Sequence, residues 1–570
     1  MAINLQTIKD LSKKDKTLLS GAVILVVLFL LVVWDLSQTY QAYKTAINFQ
    51  PEAVRAAEVL RTKRWVELPA VLKQLSDRLT LVGDKLDNVT LLSALGQVRL
   101  GKETLPLFNQ LLENSQGLAV ALAADNPKDY RGVRLTLGKE SDRFTTVLAI
   151  IDQIWSSLDE YTGGNAAASL AGLTGLDTDP SLIAAAKPWL KLSPLFVGEE
   201  QTRFLVLYAD SSTLTAAGGE INSYSVLTLQ DGKILDINLR PAKNLIASIP
   251  APELYSKYYN QPSLSLSSST WSPDFPTIAA SWLTKYNQAS GDKRPLDGVI
   301  LVTPRFLQRF MLVTGPLNIN GLKYGKEAVT AETSFKASQK SFDFTGKLGV
   351  SLIDKLKNSS VGNMLTLAGL ASQGFDAREA MIYVAHPRFQ QALGDWSGAM
   401  RSADKEDYLM VIDSNAKGKF ADADISRRLS YQVTADKDKN LIGTTTVSYS
   451  YTTAVRPWFK GTYRSVTRIY VPDNSELLEA TVNGQKMEAV ETVKEYGKQV
   501  YGFGFELNPK QTKEFAVKYK LPVGIKDYSL VYQAQPGKAI QSFSASFNAL
   551  GEKKEWKLDG QSDKTLTLED

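Results

Sequence analysis

The sequence predicts a multidomain chain: a single N-terminal transmembrane helix, a helical bundle or stalk, an α/β domain and a C-terminal immunoglobulin-like β-sandwich. Three observations carry this. An uncharged apolar run near the start is followed by apolar residues at alternating steps of four and three. Strand-like and helix-like patterns then alternate, and from Ser426 the helix period disappears. At 570 residues the chain is too long for one hydrophobic core.

The run LLSGAVILVVLFLLVVW, Leu18 to Trp34, rises about 25 Å as a helix, close to the ~30 Å of a hydrocarbon core. Lys9, Lys13, Lys14 and Lys16 precede it, and the first basic residue after it is Lys44. The positive-inside rule then leaves residues 1–17 in the cytoplasm, residues 18–36 in the plasma membrane and the remainder outside, as a single-pass protein. A cleaved signal peptide is the alternative, but no A-x-A-like site follows closely.

Residues 37–195 read as the bundle or stalk with its connection. Leu68, Leu72, Leu75, Leu79, Val82, Leu86 and Val89 form an a/d seam, and Phe144, Val147, Ile151, Ile154 and Leu158 repeat it. Leu105 to Leu122 supplies a further helix between them. This region is a self-packed spacer or a surface for other envelope proteins.

Residues 196–420 form the α/β segment. Phe204 to Tyr208 is a continuous apolar run, expected of a strand buried on both faces. A hairpin follows, with Asp231-Gly232 at its turn. In "DGVILVTPRFLQRFMLVTGPLNI", Thr303 and Pro304 open a helix that Gly315-Pro316 ends. The strands "MIYVAH" and "DYLMVIDSN" are assigned to the same segment. Residues 421–570 contain β-patterned stretches separated by polar turns, hence the sandwich and a weaker strand-like tail.

The composition removes several chemistries. With no Cys there is no disulfide, thiolate metal site or Cys nucleophile, and His386 is the one histidine. The balance of 65 basic and 60 acidic residues gives no reason to expect nucleic acid as a partner. No phosphate-binding, dinucleotide, nucleophile-elbow or zinc-protease motif is present.

Candidate binding residues are therefore few. Gly218 and Gly219, with Asn222 just beyond, could present backbone N–H groups to an anion. "SSSTWSPDFPT" is stiffened by Pro273 and Pro276 and carries Asp274 between Trp271 and Phe275. Trp271 is expected to wedge this loop against the core, leaving Asp274 to accept N–H groups or face a cleft. Asp297, before a strand, and Asn415, at the end of another, complete the set. Asp274 and Asp297 are the candidates for a metal ligand.

The strings "RFLVLYADSSTLTAAGGEINSYSVLTLQDGKI", "STWSPDFP", "LDGVILVTPRFLQRFMLVTGPLNI" and "DYLMVIDSNAKGKFADADISRR" resemble a bacterial membrane-anchored family known as domain of unknown function 4012. The resemblance spans about residues 195–535. Its central part is distantly similar to LytR-CpsA-Psr proteins, which transfer lipid-pyrophosphate-linked glycopolymers to cell walls. It implies a LytR-CpsA-Psr-like α/β domain, arginines on pyrophosphate, and acidic residues on Mg²⁺. This chain departs from the pattern at three places. Thr215 stands where an arginine is usual, Ser267-Ser268 where Arg-Asp is usual, and Lys419 falls beside the usual lysine. Serine and threonine cannot supply a guanidinium fork. The expectation is a non-catalytic binding or assembly protein of the cell envelope, its ligand a cell-wall or surface glycopolymer. The alternative is a Mg-dependent LytR-CpsA-Psr-like phosphotransferase. No cofactor other than that Mg²⁺ is implied.

Overall fold

The computed structural model describes residues 55–126 with gaps, single positions between 143 and 195, and residues 201–568 with short gaps. The apolar run at 18–36 lies outside the described residues. Among the described residues no helix is long and apolar enough to cross a membrane. The chain divides into two compact units, Met1–Lys191 and Leu192–Asp570.

In the first unit, α1 (Leu68–Asp87) and α2 (Gly96–Asp125) pack on one another. Leu68, Val71, Leu75, Leu79 and Val82 are buried along α1, and the first three share a core with Ala119 and Leu122 of α2 and with Trp65 ahead of α1. Leu68, Leu75, Leu79 and Val82 of the expected seam are buried, but Val71 is buried where Leu72 packs at the margin, Leu86 is half-buried, and Val89 is buried just past the end of α1. Of the second predicted seam, Val147 is buried, whereas Phe144, Ile151, Ile154 and Leu158 lie outside the described residues.

The second unit begins with an antiparallel meander, β1 (Thr202–Asp210), β2 (Glu220–Gln230) and β3 (Lys233–Pro241). β4 (Ser248–Pro250) and β5 (Ser263–Ser265) bracket α3 (Glu253–Tyr259). After α4 (Phe275–Ala289) come β6 (Gly298–Val302), α5 (Pro304–Thr314) and the small hairpin of β7 (Leu317–Ile319) and β8 (Leu322–Tyr324). Then follow α6 (Ala331–Gln339), α7 (Phe344–Leu356), α8 (Val361–Asp376), β9 (Ala380–Val384) and α9 (Pro387–Ala392). The five-stranded sheet has the order β3-β2-β1-β6-β9, and within it β1 and β6 run parallel.

β1 is buried on both faces, as its unbroken apolar run requires. Leu205, Leu207 and Ala209 share a core with Phe275, Ile278, Ala279 and Trp282 of α4. Tyr208 faces the other way, against α7, where Gly349 makes room; a Cβ there would stand 2.3 Å from the tyrosine ring. α5 opens and closes at the expected residues, Thr303 before Pro304 and Gly315 after Thr314.

The remaining strands are β10 (Asp407–Lys417), β11 (Ile425–Ala435), β12 (Leu441–Tyr451), β13 (Tyr463–Pro472), β14 (Glu476–Val482), β15 (Gln485–Lys486) and β16 (Glu491–Glu495). β17 (Lys498–Leu507), β18 (Thr512–Lys520), β19 (Ser529–Gln533), β20 (Ser542–Ala549), β21 (Glu552–Leu558) and β22 (Lys564–Thr567) follow. They make a six-stranded sheet, β16-β17-β13-β10-β19-β22, and a seven-stranded one, β15-β14-β18-β12-β11-β20-β21. Alternate residues of both sheets share a core, among them Leu409, Tyr449, Phe503, Phe515 and Phe547.

Two expectations change here. β10, assigned by pattern to the α/β segment, lies in the six-stranded sheet between β13 and β19. The sandwich therefore starts before residue 421. A strand buried on both faces looks the same in either sheet, so periodicity could not choose between them. The sandwich also exceeds the roughly seven to nine strands of the immunoglobulin type. Its tail returns to both sheets, placing β19 parallel to β10 and β20 parallel to β11.

Candidate functional site

The loop from Ser211 to Gly219 leaves the carboxyl end of β1. The Asp210 carboxylate turns it by accepting from the amide (3.0 Å) and hydroxyl of Ser212. Gly219 has φ +145, and a Cβ there would lie 2.4 Å from the Asp210 carbonyl carbon, so only glycine fits. The two glycine amides are not offered outward. Gly218 N–H donates to Thr215 O and Gly219 N–H to Thr215 Oγ1, each at 3.1 Å. The expected anion-binding use of Gly218 and Gly219 is corrected accordingly: their donors are consumed in closing the turn.

The "SSSTWSPDFPT" segment is hydrogen-bonded to that same loop. Ala217 N–H donates to Thr270 O (2.9 Å), the Thr270 hydroxyl donates to Gly219 O (2.8 Å), and the Ser267 hydroxyl donates to Ile221 O (2.6 Å). Trp271 is 2% exposed. Tyr255 and Tyr259 meet its ring edge-on at 5.5 and 5.6 Å, and the Arg468 guanidinium lies 3.8 Å from its centroid. Arg468 also donates to the Trp271 carbonyl and to Glu495. The segment thus joins the α/β layer to the sandwich through Trp271.

Asp274 is a helix cap. Its Oδ2 accepts from Thr277 N (3.2 Å) and Thr277 Oγ1 (2.6 Å), and Oδ1 accepts from Met400 N (3.0 Å). Both oxygens are engaged, so the carboxylate is spent on starting α4 and holding the chain near Met400. Asp274→Ala is expected to lower stability by about 1–2 kcal/mol in urea unfolding, and Asp274→Asn, itself a good cap, by much less. Equal losses for both would show that the charge, not the cap, is what matters.

Asp297 is elsewhere. Its Oδ2 accepts from Arg203 N at 2.7 Å, at the amino ends of the parallel strands β1 and β6. Asp210 and the loop lie at the carboxyl end, so Asp297 shares no site with the other candidates. With both Asp274 oxygens engaged in capping a helix and Asp297 at the opposite ends of the strands, the two proposed metal ligands do not converge, and they do not fit Mg²⁺. Among the described residues no group of three or more His, Asp or Glu side chains is placed to hold a metal ion.

Two adjoining clefts do collect residues from distant parts of the sequence. The first, about 410 Å³, is lined by Thr215, Ser267, Ser268, Trp271, Asn415 and Lys419, among others. The positions where the resembled family carries arginines therefore meet in space, but as hydroxyls. Asn415 forms part of the wall, its amide donating to Asp422 Oδ2 (2.6 Å) and to Gly418 O (2.9 Å). Lys419 stands 3.3 Å from Glu220, which lines the same cleft.

The second cleft, about 550 Å³, also includes Lys419 and adds Asn222, Asp210, Asp343, Lys243 and Lys347. Burial pushes the Asp343 carboxyl up to about 6. The Ser223 hydroxyl and the amides of Gly346 (2.8 Å) and Thr345 (3.2 Å) act the other way. Asp210 is likewise raised by burial, opposed by its bonds to Ser212. Sequence reasoning missed Glu220, Asp343, Lys243 and Lys347. Each sits in an ordinary strand, turn or helix, and only convergence marks it. Tyr255 and Tyr259 were detectable in principle, as an i,i+4 aromatic pair.

Residues 199–339 match the model of a family described as "Protein of unknown function (DUF4012)". That range holds the double-glycine loop, the Trp271 segment and α5, all quoted above for the resemblance. No curated protein matches the chain. Among solved structures, lpg2210 of Legionella pneumophila is 10% identical over 25% of this chain and 66% of its own, with a TM-score of 0.19. An M1 zinc metallopeptidase from Deinococcus radiodurans is 12% identical over 25% of this chain and 39% of its own, with a TM-score of 0.12. At these scores neither bears on the fold or the function.

Proposed function

We propose that this chain is a non-catalytic binding protein of the bacterial cell envelope, anchored by residues 18–36, that holds a sugar polymer in the first cleft. The observation that carries the reading is the lining of that cleft. Thr213, Thr215, Ser267, Ser268, Gln261 and Asn415 supply hydroxyls and amides, beside the Tyr255, Tyr259 and Trp271 rings. Sugars present apolar C–H faces and many hydroxyls, which such a mixed wall accommodates. The apolar run and its preceding lysines support the anchor.

The phosphotransferase alternative is the weaker one. It needs cations at the positions of Thr215 and Ser267, and both side chains there are neutral hydroxyls. Calorimetric titration of the full-length protein with neutral cell-wall oligosaccharides tests the binding reading. Binding is expected, and Ser268→Trp, which fills the half-buried cleft wall, should reduce it at least about tenfold, or ~1.4 kcal/mol. Binding that ignores Ser268→Trp would move the ligand out of this cleft, and Mg²⁺-dependent turnover of a polyprenyl-pyrophosphate sugar would replace binding with catalysis.

A further inference from the structure

The second cleft differs from the first in charge. Lys243 follows β3, Lys347 lies on α7 and Lys419 lies beyond β10, and all three line it. Lys419 is matched by Glu220 at 3.3 Å. Among the described residues, Lys243 and Lys347 have no carboxylate partner. The two acids in the cleft are held by local donors instead: Asp343 by Ser223, Thr345 and Gly346, and Asp210 by Ser212. Leu239, Pro241, Phe344 and Phe420 supply apolar lining. The ammonium groups of Lys243 and Lys347 are thus the cleft's unpaired donors, whereas its two carboxylates are turned to hydroxyl and amide donors, and the apolar lining strengthens the attraction for an anion seated between the lysines.

We infer that the second cleft seats an anionic group of the bound polymer, a carboxylate or a phosphate, between Lys243 and Lys347. Because Lys419 lines both clefts, a chain lying across it would place a neutral sugar against the hydroxyl wall and its acidic neighbour against the two lysines. This rests on the sugar-binding reading for the identity of the ligand, though the anion site itself does not need it. Protonation of Asp343 removes a negative charge from the cleft, so anion affinity should also rise on mild acidification. The charged groups lining the cleft with Asp343 are Asp210 at the end of β1, Lys243 after β3, Lys347 on α7 and Lys419 beyond β10, and the Tyr208 and Ser223 hydroxyls from β1 and β2 act on the same carboxyl.

The test compares a neutral oligosaccharide, a uronate-bearing one of equal length, and inorganic phosphate, each titrated into the full-length protein and into Lys243→Ala/Lys347→Ala. Both lysines reach the surface, so the double variant should melt as the parent does. The uronate ligand is expected to bind about tenfold more tightly than the neutral one at low salt, an advantage that shrinks as ionic strength rises. In the double variant that advantage should vanish while neutral binding stays. Equal affinity for the neutral and acidic ligands, or a preference that survives the double variant, overturns the inference. If the neutral sugar fails to bind but uronate and phosphate bind through Lys243 and Lys347, the anion site stands and the sugar-polymer reading falls.

Discussion

Trp271→Ala is expected to destabilise the second unit by about 3–5 kcal/mol, the range for deleting a buried large aromatic. The ring is 2% exposed and is enclosed by Tyr255, Tyr259, Leu254, Leu264 and Val466, so α3, β5 and β13 all lose a partner at once. Arg468, fully buried, loses the face it stacks on and keeps its bonds to Glu495 and the main chain. Part of the loss therefore comes from a guanidinium left without its aromatic cover. Chemical unfolding followed by fluorescence and circular dichroism measures it. A loss below about 1 kcal/mol would mean that the segment is seated by its hydrogen bonds to the double-glycine loop and not by the ring. Trp271→Phe keeps much of the apolar contact and should recover a good share of the stability.

Arg427→Ala should cost about as much, ~3–5 kcal/mol, for a different reason: it leaves a buried charge unmatched. Arg427 and Asp413 are 0% and 1% exposed at their side chains and 2.9 Å apart between β11 and β10, in opposite sheets of the sandwich. Asp413 also accepts from Thr467 (3.0 Å) and from Tyr449, and the nearest other cation, Lys538, is 4.0 Å away. Burial lowers the Lys538 pKa while Asp413 raises it, so that ammonium is an imperfect substitute for the guanidinium. The double variant Arg427→Met/Asp413→Leu removes both charges and should be less unstable than Arg427→Ala, because Asp413 is no longer left without its guanidinium and Lys538 keeps Asp422 as an acidic neighbour. If the double variant is instead the worse of the two, Asp413 matters mainly through Tyr449 and Thr467, and the ion pair is secondary. A cycle completed with the single variants Arg427→Met and Asp413→Leu gives the coupling between the two sheets directly.

Much of the local architecture was legible in the sequence. The doubly buried β1, the antiparallel β2 and β3, the Thr303–Gly315 limits of α5 and the seam of α1 follow from period, proline and glycine, which act over a few residues. The wedge role of Trp271 was also foreseeable, because two prolines leave its segment little freedom. The roles of the polar candidates were not. Gly218 and Gly219 looked like donors to a ligand until Thr215 was seen to take their amides. Asp274 and Asp297 looked alike as loop carboxylates, yet one caps α4 and the other joins β1 to β6.

By itself, the sequence determined the succession of helical, mixed and all-β segments, the lack of Cys chemistry, and the hydroxyls standing where a related pattern has arginines. Only the tertiary structure decided that β10 belongs to the sandwich, that Thr215, Ser267, Asn415 and Lys419 share a cleft, and that Lys243 and Lys347 remain unmatched beside it. The physical reason is one of range. Periodicity and capping are set by neighbours along the chain. Whether a donor or charge is free depends on which distant group reaches it, and that is known only once Thr215 and Asn415, two hundred residues apart, have been brought to the same wall.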